Sequence, residues 1–329
     1  MSMIDEPQIV VPPETWVRDM PWLDREYADI DAYVASLPAQ PDYDLTDALR
    51  RWRRDGMIVF ENVVSGDLID KYLEDIDHLM RNFGDYEIPI EIRGAQMSSR
   101  DLDSFPEDLT GIKLNQMQCF SRAASRLSLT PRISNFLGHL FHCSASACQS
   151  LTFWRGSEQP IHIDYPYVRQ QTKLSYLAAS WIPLEDVNPD AGPLAYYAGG
   201  HKLDNSGFFD WGGGSIIQDE HSIHTPTEFA EFLAGQMVQA GIEAKTFCPK
   251  RGDALIWHGN LPHEGTTVRN PELTRKSYVT HYTAETTLPD WMRNFDERGH
   301  PIGVFENEGY SYRYKWFDGM KSLPSWNSI

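Results

Sequence analysis

The sequence predicts a mainly β protein with flanking α-helices, in which the helices come first along the chain and the strands follow. From residue 144 onward, short apolar stretches alternate with turn residues, a pattern typical of a sandwich or barrel. Before residue 144, apolar residues recur with helical spacing behind capping residues. No linker-like tract and no internal repeat interrupts the chain, so we expect one domain over residues 1–329.

The individual elements follow from capping residues, apolar spacing and turn residues. Asp44 or Thr46 can cap a first long helix that Gly56 stops, and Ser65 can cap a second one. In chain order we expect an irregular N-terminal extension at 1–44, a helix at 45–54, a strand at 57–64, a helix at 65–83, a polar loop at 84–110, and helices at 116–127 and 131–141. The regions are then a mainly helical part at 45–143, a sandwich or barrel core at 144–285 and a C-terminal tail at 286–329.

An insertion at 203–248 interrupts the core. It contains three consecutive glycines, Gly212–Gly214, and a helical pattern from Pro226 to Ala240. This helix could close over a pocket, with the tail as the opposite wall, or could lie on the surface without a catalytic role. The apolar residues concerned are Phe229, Phe232, Leu233 and Met237 in the helix and Trp291, Phe295, Tyr310 and Trp316 in the tail.

The composition excludes several classes of function. A formal net charge of −18 disfavours nucleic-acid binding, which requires a basic surface. No run of 18 apolar residues is present, so no membrane span is predicted. The four cysteines have no spacing typical of a disulfide framework, and the N-terminal residues do not resemble a signal peptide. We therefore expect a reduced, cytoplasmic protein.

The most informative motif is His162-Ile163-Asp164, with His263 far downstream. Two histidines and one carboxylate are the ligands of the facial triad that selects Fe(II) for O2 chemistry. Positions i and i+2 of a strand share one face, so His162 and Asp164 would point together while Ile163 points into the core. A His-x-Asp pattern also occurs by chance at exposed strand ends, so the surroundings decide between the two interpretations.

The residues around His263 favour a metal site. A turn at Gly252 precedes a buried strand at 254–257, and His263 opens the next strand after a loop. Arg275 and Ser277 then place a guanidinium and a hydroxyl on one face of a following strand. That pair suits a dicarboxylate, because the guanidinium can donate two parallel hydrogen bonds to a carboxylate and the hydroxyl can donate a third.

Three stretches of the chain resemble the phytanoyl-CoA dioxygenase family of Fe(II)/2-oxoglutarate oxygenases. They are Trp52 to Val63; Trp181 to Val187 with Gly192-Pro193-Leu194 and Gly199-Gly200-His201-Lys202; and Gly252 to Tyr282. The resemblance covers roughly residues 45–285. The chain departs from the family at Glu264-Gly265, where Gly-Ser is usual, and at Ile163, where a polar residue is common. Neither departure changes a candidate ligand.

The resemblance implies a double-stranded β-helix, the cupin-like jelly roll, that uses Fe(II), 2-oxoglutarate and O2. It implies that His162, Asp164 and His263 hold the metal and that Arg275 anchors the distal carboxylate of 2-oxoglutarate. Further candidates for contact with 2-oxoglutarate are Ser277 and Thr266 as hydroxyl partners, Trp181 as a packing ring, and Gln116 and Thr152 for the other end of the molecule. For Trp181, ordinary core packing is an equally good interpretation.

Four other histidines compete for a role. His258 precedes His263 in the pattern H-x-x-x-x-H, in which the family uses the second histidine as the ligand. We therefore expect His258 to support the site or to lie in a loop. His201 is expected to be structural, and His221 and His224 in the insertion face either solvent or substrate.

The expected reaction is hydroxylation of an unactivated C–H bond in a small molecule, with conversion of 2-oxoglutarate and O2 to succinate and CO2. The carboxylate ligand Asp164 favours hydroxylation over halogenation, because related halogenases lack it. Desaturation, cyclisation and epimerisation use the same cofactors and stay open as alternatives. So do a cupin-like metal enzyme that is not an oxygenase and a jelly-roll binding domain. The sequence predicts neither the identity of the substrate nor the oligomeric state.

Overall fold

The computed structural model describes residues 20–106, 109–168, 173, 175–203, 218, 222–288, 302–307, 310–315 and 321–328. Its α-helices are α1 (Ile30–Ala35), α2 (Leu45–Asp55), α3 (Gly66–Arg81), α4 (Arg122–Ser128), α5 (Pro131–Phe141) and α6 (Pro226–Ala240). Its strands are β1 (Met57–Phe60), β2 (Pro89–Ile92), β3 (Ala95–Ser98), β4 (Ile112–Asn115), β5 (Ala145–Phe153), β6 (Leu177–Pro183), β7 (Leu194–Tyr196), β8 (Lys245–Phe247), β9 (Ala254–His258), β10 (His263–Gly265), β11 (Ser277–Ala284), β12 (Ile302–Asn307) and β13 (Tyr310–Lys315).

Two antiparallel sheets form the core. The larger sheet has eight strands in the order β1-β9-β6-β11-β5-β4-β2-β3, and the smaller has three in the order β10-β7-β8. Trp181, Leu255 and Val279 of the larger sheet pack in one apolar cluster with Leu194 of the smaller sheet, so the two sheets face each other. The predicted mainly β jelly roll with flanking helices is confirmed.

Alternation along β11 separates two environments on the larger sheet. Val279 belongs to the cluster between the sheets, and we call this side of the larger sheet the site face. Tyr278 and Tyr282 belong instead to a larger cluster that includes Ile69 of α3 and Leu127 of α4. Helices therefore cover the side of the larger sheet that is opposite the site face, as period-two alternation requires.

Local capping accounts for the bounds of the long helices. The Asp44 carboxylate accepts the backbone N–H of Asp47 at the start of α2, and Gly56 ends the helix in the left-handed region with φ 75°. A Cβ at Gly56 would lie 2.4 Å from Nδ1 of His201, so only glycine fits this stop. Ser65 caps α3 as predicted. Within the part of the chain that the structure describes, no helix is long and apolar enough to cross a membrane.

The prediction of a polar loop at 84–110 is wrong in part, because β2 and β3 form a hairpin there. Arg93 and Gly94 connect the strands with φ 50° and 87°, and positive φ at two central residues is typical of a tight hairpin turn. These strands contain the polar residues Glu91 and Gln96, so they lack the apolar alternation on which the prediction of strands was based. The hairpin is stabilised by its pairing with β4, which lies farther along the chain.

The single helix predicted at 116–127 is also wrong. The chain forms β4 up to Asn115, turns at Gln116 with φ 60°, and begins α4 only after Ser121, whose side chain caps that helix. A residue in the left-handed region cannot continue a right-handed helix, so Gln116 separates the two elements. The strand predicted at 57–64 is shorter than expected and ends at Phe60.

The helix predicted in the insertion is present as α6, between a capping box of Thr225 with Glu228 and a left-handed Gly241. Its buried residues Phe229 and Leu233 pack in one cluster with Ile163. Helix α6 therefore supports the segment that carries the His-x-Asp motif from behind. The glycines at 212–214, His221 and the tail residues Trp291, Phe295 and Trp316 lie outside the described residues, and only the backbone is described for Tyr310.

Candidate active site

The segments that carry the candidate ligands are joined through their backbones. His162 donates its N–H to the carbonyl of His263 at 2.9 Å, and His263 donates its N–H to the carbonyl of His162 at 3.0 Å. The N–H of Asp164 reaches the carbonyl of Gly259 at 2.9 Å. Around His162 the pairing is an isolated bridge rather than a regular strand, but Ile163 is fully buried behind it, as alternation predicts.

One ligand atom from each of His162, Asp164 and His263 lies within 4.8 Å of the other two. The Nε2 atom of His263 is 3.6 Å from Oδ1 of Asp164, and both side chains are 7% exposed. The centres of the two imidazole rings are 4.2 Å apart. We call these three residues the metal group, because a nitrogen, oxygen, nitrogen donor set at this separation matches the facial triad of non-haem Fe(II).

Backbone contacts assign the protons on both histidines of the metal group. Nδ1 of His162 lies 2.8 Å from the carbonyl oxygen of Pro160, and Nδ1 of His263 lies 2.9 Å from that of Leu261. A carbonyl oxygen only accepts, so each Nδ1 carries the proton and each Nε2 presents a lone pair to the metal position. Burial, reinforced by the neighbouring His263, lowers the pKa of His162 to about 3, so its imidazole is neutral.

The Asp164 carboxylate is buried and ionised. The indole N–H of Trp257 donates to its Oδ2 at 2.8 Å. Burial alone would raise the pKa of Asp164, but the neighbouring His263 and His281 hold it below its usual value. Two imidazole rings and one carboxylate therefore face one point, and this donor set fits Fe(II).

His258 does not join the metal group. Its Nε2 lies 3.1 Å from Oδ2 of Asp24, and its Nδ1 accepts the backbone N–H of Asn260 at 2.9 Å. His258 alternates with Trp257, which is on the site face, so its ring points to the opposite side of β9. His201 packs near this ring, with centroids 5.3 Å apart, and His224 is half-buried.

Arg275 is a buried cation without an acidic partner among the described residues. It is 2% exposed, and its Nε has no hydrogen-bond partner. Its Cζ lies 5.7 Å from the ring centre of Phe153 and 5.6 Å from that of Trp181, both on the site face. Burial lowers the pKa of Arg275 to about 10, which leaves it charged at neutral pH. Its Nη2 donates to the carbonyl of Arg155 at 3.4 Å, and no described carboxylate pairs with it. A buried guanidinium without a carboxylate partner is the observation expected where an anionic ligand binds.

The other candidates for contact with 2-oxoglutarate differ in their surroundings. Ser277 is fully buried, and its hydroxyl has no partner among the described residues, so it is available to a ligand. Trp181 lies beside Arg275 on the site face. The hydroxyl of Thr266 instead donates to the carbonyl of Pro193 at 2.8 Å, which leaves it no proton to offer a carboxylate.

Thr152 and Gln116 do not belong to this arrangement. Thr152 lies opposite Tyr278 on the helix-covered side of the sheet, where its hydroxyl bonds that of Tyr72. The side-chain oxygen of Gln116 accepts from the amide of Gln118 at 2.5 Å. Gln118 in turn bonds the hydroxyl of Ser150, which is on the same side of β5 as Thr152. Thr152 therefore lies away from the site face, because β5 presents this residue to the helices.

Three residues near the metal group were missed by sequence reasoning. His281 has its Nε2 3.6 Å from Oδ1 of Asp164, and alternation from Ser277 along β11 would have indicated its face. The amide of Gln159 lies 3.2 Å from Nε2 of His162, and no sequence pattern marks it. Lys113, on the site face of β4, has its Nζ 5.8 Å from the ring centre of Phe153 and pairs with Glu91 at 2.7 Å.

Solved structures with related folds include three enzymes. The epimerase SnoN from nogalamycin biosynthesis, in complex with Fe3+, alpha-ketoglutarate and nogalamycin RO, is 16% identical over 84% of this chain and 97% of that chain, with a TM-score of 0.54. EctD from S. alaskensis with bound Fe is 19% identical over 78% of this chain and 83% of that chain, with a TM-score of 0.54. The non-haem carbocyclase SnoK from nogalamycin biosynthesis is 17% identical over 72% of this chain and 83% of that chain, with a TM-score of 0.52. At these identities the likeness shows the fold alone.

The sequence comparisons lead to one family. No curated protein matches the sequence of this chain. The family model described as phytanoyl-CoA dioxygenase (PhyH) matches residues 52–277, a range that includes the metal group, Arg275 and Ser277. This family uses Fe(II), 2-oxoglutarate and O2. Because the match spans more than half of its residues, the chain belongs to the phytanoyl-CoA dioxygenase family.

Proposed function

We propose that this protein is an Fe(II)- and 2-oxoglutarate-dependent dioxygenase that hydroxylates an unactivated C–H bond of a small molecule. One oxygen atom of O2 enters the substrate as a hydroxyl group, and the other enters the succinate formed with CO2 from 2-oxoglutarate. One observation carries this proposal. Arg275, which is buried and has no carboxylate partner among the described residues, directly precedes β11. Along the site face of β11, Ser277 is followed by His281, which is 3.6 Å from Asp164 of the metal group.

His162, Asp164 and His263 would hold Fe(II) through two lone pairs and one negative charge. Three protein ligands would leave room at the metal for 2-oxoglutarate and O2. Fe(II), when bound, would supply the redox chemistry that couples O2 activation to the loss of CO2 from 2-oxoglutarate. The backbone contacts that engage Nδ1 of each histidine leave Nε2 as the nitrogen that would bind the metal.

Arg275 would bind the distal carboxylate of 2-oxoglutarate, with the Ser277 hydroxyl as a second donor and the Trp181 ring beside them. A buried charge without a partner is costly, and an incoming carboxylate relieves that cost with charge-assisted hydrogen bonds. A carboxylate side chain next to Arg275 would neutralise its charge, and an anionic ligand would then gain little free energy by binding there. The described residues provide none within ion-pair distance of Arg275.

The walls between the sheets would keep water from the reacting atoms. They are formed by large apolar side chains, namely Met57, Phe153, Trp181, Leu194, Leu255, Trp257, Leu261 and Val279. Exclusion of water strengthens the contact between Arg275 and a carboxylate and protects a reactive oxidant from side reactions. We place this machinery in a single domain that also includes the extension at 1–44 and the tail at 286–329.

Other reactions that use the same cofactors would give products that differ from a hydroxylated substrate. Asp164 occupies the ligand position that a halogenase would leave to chloride, which supports oxygen insertion. Desaturation, cyclisation or epimerisation would consume the same 2-oxoglutarate and leave no new hydroxyl group in the product. A cupin-like metal enzyme of another class would not need Arg275 and Ser277 for 2-oxoglutarate, and a binding domain would show no metal-dependent turnover.

The test is 2-oxoglutarate turnover. With Fe(II) and ascorbate, purified protein should convert 2-oxoglutarate to succinate, and a panel of small molecules should contain members that accelerate the conversion. With ¹⁸O2, mass spectrometry of the accelerated reaction should find one label in succinate and one in the product. Arg275→Ala is the matched control, since it retains the metal group. Protein that binds Fe(II) but forms no succinate with any member of a broad panel would contradict the proposal.

A further inference from the structure

His281 is a third histidine beside the metal group, in addition to His162 and His263, and is outside the proposed set of ligands. It is 4% exposed in the middle of the eight-stranded sheet, and its Nδ1 has no hydrogen-bond partner among the described residues. The pairing of β11 with β5 shifts register at this residue, because Gln149 pairs with His281 whereas Ala147 pairs with Tyr282. Cys148 is the extra residue of this bulge. Bulges of this kind re-aim a side chain and occur next to active sites.

The Asp164 carboxylate lies between two ring donors. Trp257 donates its indole N–H to Oδ2 at 2.8 Å, while Nε2 of His281 faces Oδ1 at 3.6 Å. The rings of Trp257 and His281 are themselves in edge contact, with centroids 6.4 Å apart. β9 and β11, each paired with β6, therefore present one nitrogen to each oxygen of the same carboxylate.

His281 is better suited to orient the carboxylate than to bind the metal. Its nitrogen is not among the atoms of the metal group that lie within 4.8 Å of one another. A neutral imidazole carries one N–H, and a carboxylate oxygen only accepts, so Asp164 favours the form of His281 with the proton on Nε2. The distance of 3.6 Å exceeds a normal hydrogen bond, so in this structure the contact is an electrostatic one.

We propose that His281 is the positioning residue of the carboxylate ligand: its Nε2–H and the Trp257 indole hold the two oxygens of Asp164, and metal affinity depends on both donors. This inference rests on the proposed metal site. Partners that orient a ligand in this way change metal affinity by ~10–100-fold when they are removed. The roles differ, because Trp257 already makes a full hydrogen bond, whereas His281 faces the oxygen that lies nearest His263.

The substitutions His281→Gln and His281→Asn test whether the N–H donor to Asp164 matters, or only the presence of a polar side chain. Gln at position 281 reaches about as far as Nε2 and can donate to Asp164. Asn reaches only about as far as Nδ1 and cannot. Both are polar and smaller than histidine, so they perturb the sheet similarly. Tyr282→Phe is the control for damage to β11, because its hydroxyl bonds Ser180 and the carbonyl of Ser128 on the helix-covered side.

The experiment titrates Co(II), an air-stable probe for the Fe(II) position, into the wild type and the three variants by calorimetry and visible absorption. We expect His281→Asn to lower Co(II) affinity ~10–100-fold, and His281→Gln and Tyr282→Phe to remain within about threefold of the wild type. The Co(II) visible spectrum should change in the Asn variant alone. Equal affinity in the Asn variant and the wild type, or equal losses in Gln and Asn, would overturn the role of His281. A wild type that binds no Co(II) would instead overturn the metal site itself, and with it the proposed function.

Discussion

His162 and His263 exchange both of their backbone hydrogen bonds, so two ligands that are far apart in sequence are held in register by the main chain. A backbone bridge fixes the spacing of two imidazoles more firmly than side-chain packing does, because each bond also satisfies a polar group next to a buried site. The separation of the rings therefore does not depend on the metal. This gives the metal group its preorganised form.

The first prediction concerns the ligands. His162→Ala, Asp164→Ala and His263→Ala should each abolish Fe(II) binding and succinate formation, since two remaining ligands do not make a facial triad. His258→Ala is the matched control, because its ring contacts Asp24 on the other side of β9. The measurement is the weak visible charge-transfer band of the anaerobic Fe(II)/2-oxoglutarate complex. Loss of this band in His258→Ala with its retention in His263→Ala would reverse the assignment.

The second prediction concerns Arg275. Arg275→Ala should raise the KM for 2-oxoglutarate on the order of 10²-fold, because a charge-assisted contact worth about 1.5–3 kcal/mol is lost from a desolvated site. Arg275→Lys should recover only part of this loss. Steady-state kinetics with varied 2-oxoglutarate is the measurement.

An opposite effect on stability is expected at the same position. Arg275→Met replaces an uncompensated buried charge with an apolar side chain of similar length, and should raise the free energy of unfolding by about 1–3 kcal/mol without ligand. With the metal present throughout, saturating 2-oxoglutarate should stabilise the wild type but leave the Met variant nearly unchanged. Thermal unfolding with and without 2-oxoglutarate measures both. A Met variant less stable than the wild type would mean that Arg275 has a structural partner instead.

The third prediction concerns α6. Leu233 is fully buried and packs with Ile163 in the cluster behind the metal group, so Leu233→Ala should cost ~2–5 kcal/mol of unfolding free energy. It should also weaken Co(II) binding, because Ile163 separates two ligands. Val238→Ala is the control on the same helix, since Val238 is 82% exposed and its change should stay within ~0.5 kcal/mol. Unchanged Co(II) affinity in a destabilised Leu233→Ala protein would limit α6 to a role in folding.

The fourth prediction concerns pH and the C-terminal residues. Asp75 of α3 is buried, and its Oδ1 accepts the backbone N–H of Ser325 at 2.9 Å. Burial raises the pKa of Asp75 from 3.8, so the folded protein binds this proton more tightly than the unfolded chain does. Ionised Asp75 therefore costs stability, and the cost appears as pH rises above the usual carboxyl range.

Asp75→Asn retains an oxygen to accept from Ser325 and has no charge. Its stability relative to the wild type should therefore increase from pH ~4 upward and then level off once Asp75 is ionised. Urea unfolding at a series of pH values gives this difference directly. A difference that is independent of pH would show that Asp75 has the same pKa in the folded and unfolded states.

The sequence by itself determined the elements whose signals are local. The bounds of α2, α3 and α6 could be predicted because capping side chains and left-handed glycines act within one turn of the helix. The common face of His162 and Asp164 could be predicted because alternation needs only the extended backbone of one short segment. The jelly roll and the cofactors followed from motifs in which glycine, histidine and arginine recur in a fixed order.

Only the tertiary structure decided which residues meet. The β2–β3 hairpin depends on pairing with β4, and such pairing is invisible in a polar segment considered alone. A backbone bridge brings His263 next to His162, whereas His258 lies on the other side of β9. The register of β5 with β11 places Thr152 on the helix-covered side. His281 lies 3.6 Å from Asp164 although the two residues are far apart in sequence. The physical reason is common to all four: the face that a side chain occupies is local, but what lies opposite that face is set by strands distant in sequence.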